Sequence, residues 1–590
     1  MSFSALLLLF LLILLIYLLY TEKVHPAAAF LFVVSALVVF GVLTPREALA
    51  GFSNEQVATI ALLLVVSSAM KKFEITGYLF SRLLGKERKY PLFLSKMMGL
   101  VSLLSAFLNN TPVVATLMPY VYEWGRRHRI SPSKLLIPLS YAAILGGTTT
   151  LVGTSTNLIV NALAVESGLS PFHLFDFAWA GVPAVLAGIL YMVTVGKRLL
   201  PNREDLLSKF LRSGREYLVE TFIPPGSPFA GKSVLEAGLR NLKGLFLVEI
   251  IRGGERIAPV TPQDILKERD TLIFAGDTES IVELVKKSGG LSLPAVCSPF
   301  HGERIEVVEA LVPVNSSLVG KKVRETNFRA RFDAAILAVH RDGERLKGKI
   351  GEMVLKPGDL LLLLAGKDFW SRVADSSDLF VINKVNEVYT LKEKKSLFFL
   401  FAFMVALIMS ALGVVPLFTS LLILISLLVI SGLSTYNEIK MNIDLNLVVI
   451  AAFSFAVGIA IKKSGLSSVI GSMIVSVTEP LGLVGALVAV YLITNILTEF
   501  VTNVAAATMV FPVALSVASN LGASPKLFAL VVAYAASASF VTPVGYQTNL
   551  LVYGPGNYRF KDFLKVGLPL SFIFMSVIIS LLILKQKGGA

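Results

Sequence analysis

The sequence predicts a polytopic α-helical membrane protein. It reads as an inverted repeat of two five-helix halves, each with a re-entrant hairpin and a broken helix. A cytoplasmic α+β insert of two tandem copies separates the halves. Three observations carry this prediction. Hydrophobic residues make up 55% of the 590, charged residues 16%, and mean hydropathy is +0.73; a soluble chain has about 25% charged residues. The charge is segregated: residues 203–391 hold 27 Lys/Arg and 26 Asp/Glu, and the flanks hold 27 basic but only 14 acidic residues. The chain is also internally duplicated, once in the flanks and once in the insert.

Composition excludes a disordered, collagenous or disulfide-scaffold chain. The one cysteine, Cys297, allows neither an intrachain disulfide nor a multi-cysteine metal site. Of the net charge of +14, +13 lies in the membrane flanks, so it reports topology and implies no nucleic-acid partner.

In the first half (1–202), apolar runs near 4–20, 27–43 and 56–70 are each about long enough to span a bilayer. The first lacks the basic start of a signal peptide and is read as a retained helix. Residues 91–122 are apolar but broken at Asn109-Asn110-Thr111-Pro112, and 135–165 are broken at Gly146-Gly147, a Thr run and Gly153. A last span covers 174–196. The second half (392–590) repeats the series: 396–412, 416–433, 447–461, a broken 480–515, a broken 526–553, and 567–584.

The halves align at a nearly constant offset. Lys71-Lys72 answers Lys462-Lys463, Asn110 with Pro119 answers Asn503 with Pro512, and Gly153-x-x-x-Asn157 answers Gly545-x-x-x-Asn549. The stretches 91–122 and 480–515 are too long for one helix and have polar centres, so each is read as a hairpin that enters and leaves on one side. Five crossings per half then invert the second half, the architecture of secondary transporters. With the N-terminus outside, cytoplasmic loops hold 20 of the 27 basic residues of the membrane region. Both termini then lie outside and 203–391 lies in the cytoplasm.

The insert repeats at an offset of 89. Val219-Glu220 and Gly231-Lys232 answer Val308-Glu309 and Gly320-Lys321, Arg252 to Arg256 answers Arg341 to Arg345, and Asp270 answers Asp359. The copies are 203–298, with its linker, and 299–391. Each reads as strands, a short helix, a hairpin, a strand and a closing helix. Gly226 to Ser233 matches a P-loop pattern. The second copy keeps only Gly320-Lys321 of it, so the pattern is read as a turn feeding a short helix.

The polar breaks carry the chemistry. Irregular backbone at membrane depth is tolerated only in protein or along a cavity. Its freed carbonyls coordinate a cation, and helix N-termini face an anion. The residues are small neutral hydrogen-bonders: Ser105, Asn109, Asn110, Thr111, Thr154 and Asn157 in the first half, and Thr498, Thr502, Asn503, Gln547, Thr548 and Asn549 in the second. Helix packing by small residues is the bland alternative. Glu499 is the one acid in these breaks; it is a coupling group for a proton or cation, or a structural group paired with Lys96 or a helix end. The five histidines are scattered, with no zinc spacing or nucleophile elbow, so no enzyme is expected.

At these residues the chain resembles the divalent anion/sodium symporter family of the ion transporter superfamily. That family's hallmark is a Ser-Asn-Thr motif in each hairpin. Here the positions read Asn109-Asn110-Thr111 and Thr502-Asn503-Val504. The insert resembles two TrkA-C (RCK C-terminal) domains, found in a branch containing sulfate permeases. The resemblance implies one sodium site from Ser105, Asn109, Asn110 and the Gly153 backbone. It implies a second from Thr498, Asn503 and the backbones of Val501 and Gly545. Substrate would touch Asn109, Asn110, Thr111, Thr502 and Asn503, with Thr154 and Gln547 nearby.

The resemblance further implies a homodimer in the inner membrane, elevator-type alternating access, and sodium as coupling ion, with a proton as the alternative. Val504 lacks a hydroxyl that would grip a carboxylate, which favours sulfate over a dicarboxylate. A sodium/proton antiporter or a regulated cation channel stays open as a further alternative. The insert either senses a cytoplasmic ligand or braces a dimer.

Overall fold

The computed structural model describes residues 3–588 apart from 22–23, 73–79, 81, 85–86, 204–217, 240–244, 254, 259, 277–306, 314–315, 342–343, 347–349, 367, 375, 377, 383–393, 435–438 and 440–444. The chain separates into two compact units. One comprises Met1–Pro201, Val385–Val552 and Arg559–Ala590; the other comprises Asn202–Lys384 with Tyr553–Tyr558.

The first unit is helical. Its first half runs α1 (Phe3–Thr21), α2 (Pro26–Val39), α3 (Pro45–Leu49), α4 (Glu55–Lys72), α5 (Tyr90–Ser105), α6 (Asn110–Arg127), α7 (Leu136–Gly147), α8 (Ser155–Glu166) and α9 (Ala178–Leu199). Among the described residues five helices are long and apolar enough to cross a membrane, or six if the bent pair Pro45–Ser53 and Glu55–Met70 is one span. Helices α2 and Leu417–Ile430 are shorter than the apolar runs that contain them. The runs continue to 43 and 433, but Gly41 and Gly432 take φ of +72° and +68° just past the helix ends. A left-handed residue there closes the last turn, and only glycine adopts it without penalty.

Among the described residues the insert carries the α-helices α10 (Phe328–Phe332) and α11 (Phe369–Ala374). The second half of the helical unit runs α12 (Lys394–Ala411), α13 (Leu417–Ile430), α14 (Leu445–Lys463), α15 (Leu466–Thr478), α16 (Gly482–Thr498), α17 (Asn503–Asn520), α18 (Pro525–Ser537), α19 (Gln547–Tyr553) and α20 (Phe560–Gly588). Helix α15 goes beyond the sequence expectation. It follows α14 after Ser464 and Gly465, and Gly465 takes φ +78° so that two residues turn the chain. Helix α17 sits at the centre of the unit, packed on α8, α14, α15, α16 and α18. Its mate α6 also carries a proline nine residues after its first Asn, Pro119 against Pro512.

The second unit holds two antiparallel sheets. The first, in the order β1-β4-β2-β3, is formed by β1 (Leu218–Phe222), β2 (Leu245–Arg252), β3 (Glu255–Ile257) and β4 (Thr271–Gly276). The second, in the order β7-β6-β8-β5-β9, is formed by β5 (Val307–Leu311), β6 (Ala334–Arg341), β7 (Glu344–Arg345), β8 (Leu360–Ala365) and β9 (Phe380–Val381). The copies agree in detail. A register shift at Leu247/Glu249 recurs at Ile336/Ala338, and the bridge Ser233–Ile265 recurs as Lys322–Val354. Each copy buries one aspartate under a two-bonded arginine, Arg252–Asp270 and Arg341–Asp359. The closing helix is α11 in the second copy; its counterpart in the first lies outside the described residues, as do Gly254 and Asp342-Gly343 of the expected hairpins.

The P-loop look-alike forms no helix-seated phosphate cradle. The Ser233 N–H and hydroxyl both donate to Glu236, at 2.9 Å each. A carboxylate thus occupies the donors a phosphate would need, and those bonds hold Glu236 below its usual pKa.

Candidate functional site

Helices α5 and α6 make a hairpin whose tip is 106–109. Asn109 is the N-cap of α6 and accepts the Thr111 N–H at 3.3 Å. This is the role for which Asn is favoured before a helix. Thr502 does the same for α17, accepting the Ala505 N–H at 3.3 Å. Both replacements of the family's serine therefore keep a capping oxygen.

Behind each tip, one hydroxyl meets one asparagine. Ser105 Oγ donates to Asn110 Oδ1 at 2.5 Å, and Thr498 Oγ1 donates to Asn503 Oδ1 at 2.9 Å. Ser105 and Thr498 are fully buried, and Asn110 is 1% exposed.

The breaks close against these tips with the same bonds in both halves. Asn157 Nδ2 donates to the Gly147 and Thr150 carbonyls, and Asn549 Nδ2 to the Ser539 and Thr542 carbonyls. The Gly153 N–H donates to Thr150 Oγ1 at 3.1 Å, and the Gly545 N–H to Thr542 Oγ1 at 2.9 Å. Thr150 Oγ1 donates to the Ala106 carbonyl, and Thr542 Oγ1 to the Glu499 carbonyl. Each break is thereby tied to the first residue after its hairpin helix.

Both glycines sit where a side chain has no room. A Cβ on Gly153 would lie 2.5 Å from the Gly147 carbonyl oxygen, and one on Gly545 would lie 2.7 Å from Glu499 Oε2. Their backbones, and those of the other break residues, can approach an ion closely.

Glu499 is paired with backbone. Its carboxylate accepts the N–H groups of Val541 and Thr542 at 2.9 and 2.8 Å. The expected alternative partner, Lys96, instead bonds Glu87 at 2.7 Å and is half exposed. Proximity in the hairpin pattern did not bring Lys96 to the acid, because Lys96 lies nine residues before Ser105 on α5.

The two halves meet at the site. Thr111 Oγ1 donates to Gln547 Oε1 at 3.1 Å, and Ser140 Oγ bonds Thr548 Oγ1 and Asn549 Oδ1 at 2.8 and 2.7 Å. Asn110 Nδ2 donates to the Tyr546 hydroxyl at 2.6 Å, and Thr154 Oγ1 lies 3.4 Å from the same oxygen. Val501 and Val504 are buried beside the second tip. The motifs assign no ligand role to Thr150, Ser539, Thr542 or Tyr546, although Thr542 and Tyr546 lie within the second break and the offset of 392 pairs Thr150 with Thr542 and Thr154 with Tyr546.

Neutral oxygens and backbone carbonyls suit a hard cation. Converging amide and hydroxyl donors suit an anion. Among the described residues no group of three His, Cys, Asp or Glu side chains gathers to hold a metal.

A family model described as a citrate transporter matches residues 16–533. The chain belongs to the citrate transporter family. Members related to it include a Chlamydomonas reinhardtii protein named for the sulfur deprivation response, 32% identical over 94% of this chain and 97% of the relative. A Synechocystis protein named only as a transporter is 32% identical over 92% of this chain and 91% of its own length. Sodium/sulfate cotransporter 1 of C. reinhardtii is 23% identical over 94% and 87%. This family of multi-pass membrane transporters accords with the divalent anion/sodium symporter resemblance read from the hairpin motifs.

Proposed function

We propose that this transporter carries a small dianion into the cell with sodium, and that the dianion is sulfate. The observation that carries the reading is the twofold pairing of Ser105 with Asn110 and Thr498 with Asn503, each beside a glycine-bearing break. These are two like sets of neutral oxygens. No Lys or Arg occurs in 105–112, 147–157, 498–504 or 539–549, so the protein brings no cation of its own. A bare dianion in a low-dielectric site is prohibitively costly unless its charge is offset. Co-bound sodium ions offset it.

In this reading Ser105, Asn109, Asn110 and the Gly153 backbone hold one sodium, and Thr498, Asn503 and the Val501 and Gly545 backbones hold the other. Asn109, Asn110, Thr111, Thr154, Thr502, Asn503 and Gln547 surround the anion. The hairpins are re-entrant, the halves are inverted, and the hairpin-bearing domain moves as an elevator within a homodimer. Residues 203–391 form two cytoplasmic TrkA-C domains. The relatives named as sodium/sulfate cotransporters support both ion and substrate.

A second reading is a sodium-coupled di- or tricarboxylate symporter, which the family model's description favours. The deciding experiment is labelled sulfate uptake into proteoliposomes, with and without an inward sodium gradient, competed by succinate. Sodium-driven sulfate uptake that succinate leaves intact supports the proposal. Sodium-driven succinate uptake without sulfate uptake overturns it.

A further inference from the structure

The two breaks share one bonding pattern, and among the positions where their residues differ one puts an aromatic ring opposite a threonine. Residues 147–157 answer 539–549, and the mate of Thr154 is Tyr546. The two mates meet, with their hydroxyl oxygens 3.4 Å apart. Tyr546 also accepts the Asn110 Nδ2–H at 2.6 Å. A half-buried aromatic ring thus stands where the repeat would place a threonine.

We propose that Tyr546 is a specificity-determining residue that limits the length of the transported dianion. The proposal rests on the dianion-symport reading and deepens it. A phenol is neutral and holds one O–H donor at the end of a rigid ring. The Tyr546 hydroxyl accepts the Asn110 amide N–H in this structure, which leaves its own O–H to be donated to an incoming anion. The Thr154 hydroxyl adds a third donor. Donor atoms separated by only 2.6–3.4 Å fit oxygens carried on one central atom, those of sulfate or of a single carboxylate, so the selection falls on the rest of the anion. A four-carbon dicarboxylate spreads its charge over two groups, and its second carboxylate would have to displace the ring. Size exclusion by one ring is a stronger filter than a missing methylene, which is worth about 10–200-fold.

The test uses the full-length protein in proteoliposomes with a sodium gradient. Labelled sulfate uptake is competed by oxalate, malonate and succinate, and binding of each dianion is followed in parallel by thermal shift. Tyr546→Thr, which restores the repeat's residue, is expected to improve succinate competition relative to sulfate by about tenfold or more. Tyr546→Phe keeps the ring and the length limit but weakens sulfate about tenfold, since it loses one hydrogen bond to a charged ligand. An unchanged dianion order in Tyr546→Thr overturns the length limit. Unchanged sulfate affinity in Tyr546→Phe overturns the donor role, and this variant decides the matter if the threonine variant does not fold. Wild-type protein without sodium-driven dianion uptake would instead refute the underlying transport reading, a result separate from either variant's outcome.

Discussion

The Ser105 hydroxyl and the Asn110 side-chain carbonyl meet at 2.5 Å across the first hairpin, five residues apart on opposite sides of the tip. Thr498 and Asn503 repeat the contact at the same spacing. Each pair places two oxygens beside a broken helix. Asn110→Ala and Asn503→Ala remove the side-chain amide and leave α6 and α17 intact, because Asn109 and Thr502 supply the caps. Uptake in either variant is expected to fall by about 100-fold or more, the worth of two charge-assisted hydrogen bonds. Size-exclusion profiles should stay as in wild type. Near-normal sodium-driven uptake in both variants would remove these residues from the site.

Glu499 acts on the second break through backbone. Its two oxygens accept two amides, one each. Glutamine offers one oxygen, so Glu499→Gln leaves one buried N–H facing an NH2 group, at a cost of about 1–3 kcal/mol. A lower thermal midpoint and slower uptake are expected, with the dependence of rate on sodium concentration unchanged in order. A loss of sodium dependence with an unaltered midpoint would instead make Glu499 a coupling group.

Much of this architecture was legible in the sequence, for definite reasons. Polar runs such as Asn109 to Pro112 inside apolar stretches are too costly to occur by accident in a membrane. A duplication also leaves its offset in both halves. What escaped had no such mark. Helix α15 has only 13 residues, fewer than a span needs, and follows Lys462-Lys463-Ser464 after the turn at Gly465. The partners of Glu499 are backbone amides, which every residue has. The motif marks Asn109 and Thr502 as ligand residues, and that they also cap α6 and α17 emerges only once the helix starts are known. Tyr546 reads as one more aromatic in a chain that is 10% aromatic. Only its position opposite Thr154 singles it out.

The insert's repeated arginine–aspartate pairs, Arg252–Asp270 and Arg341–Asp359, should matter equally to its stability. Asp270 and Asp359 have fully buried side chains, and each also accepts a backbone N–H, from Lys267 at 2.7 Å and Lys356 at 2.8 Å. Removing the buried carboxylate leaves a buried backbone N–H without its acceptor, at a cost of about 1–3 kcal/mol. Asp270→Ala or Asp359→Ala in the full-length protein is expected to make its own sheet open to protease first, with the other copy still protected. Equal protection of both copies in both variants would show that the pairs are dispensable.

The two break glycines predict an asymmetry. A methyl on Gly153 would press on the Gly147 carbonyl oxygen and its Cα, at 2.5 and 2.9 Å, whereas one on Gly545 would press first on the Glu499 carboxylate at 2.7 Å. A side chain can swing aside and backbone cannot. Gly153→Ala must therefore shift α7 against the break, with an overpacking cost of about 1–3 kcal/mol or more. Gly545→Ala is expected to spare the midpoint more, but to dislodge Glu499 from the Val541 and Thr542 amides and slow transport. Combining it with Glu499→Gln tests this directly. The two defects should be less than additive, because they act on one contact, and full additivity in uptake and midpoint would place the Gly545 effect elsewhere.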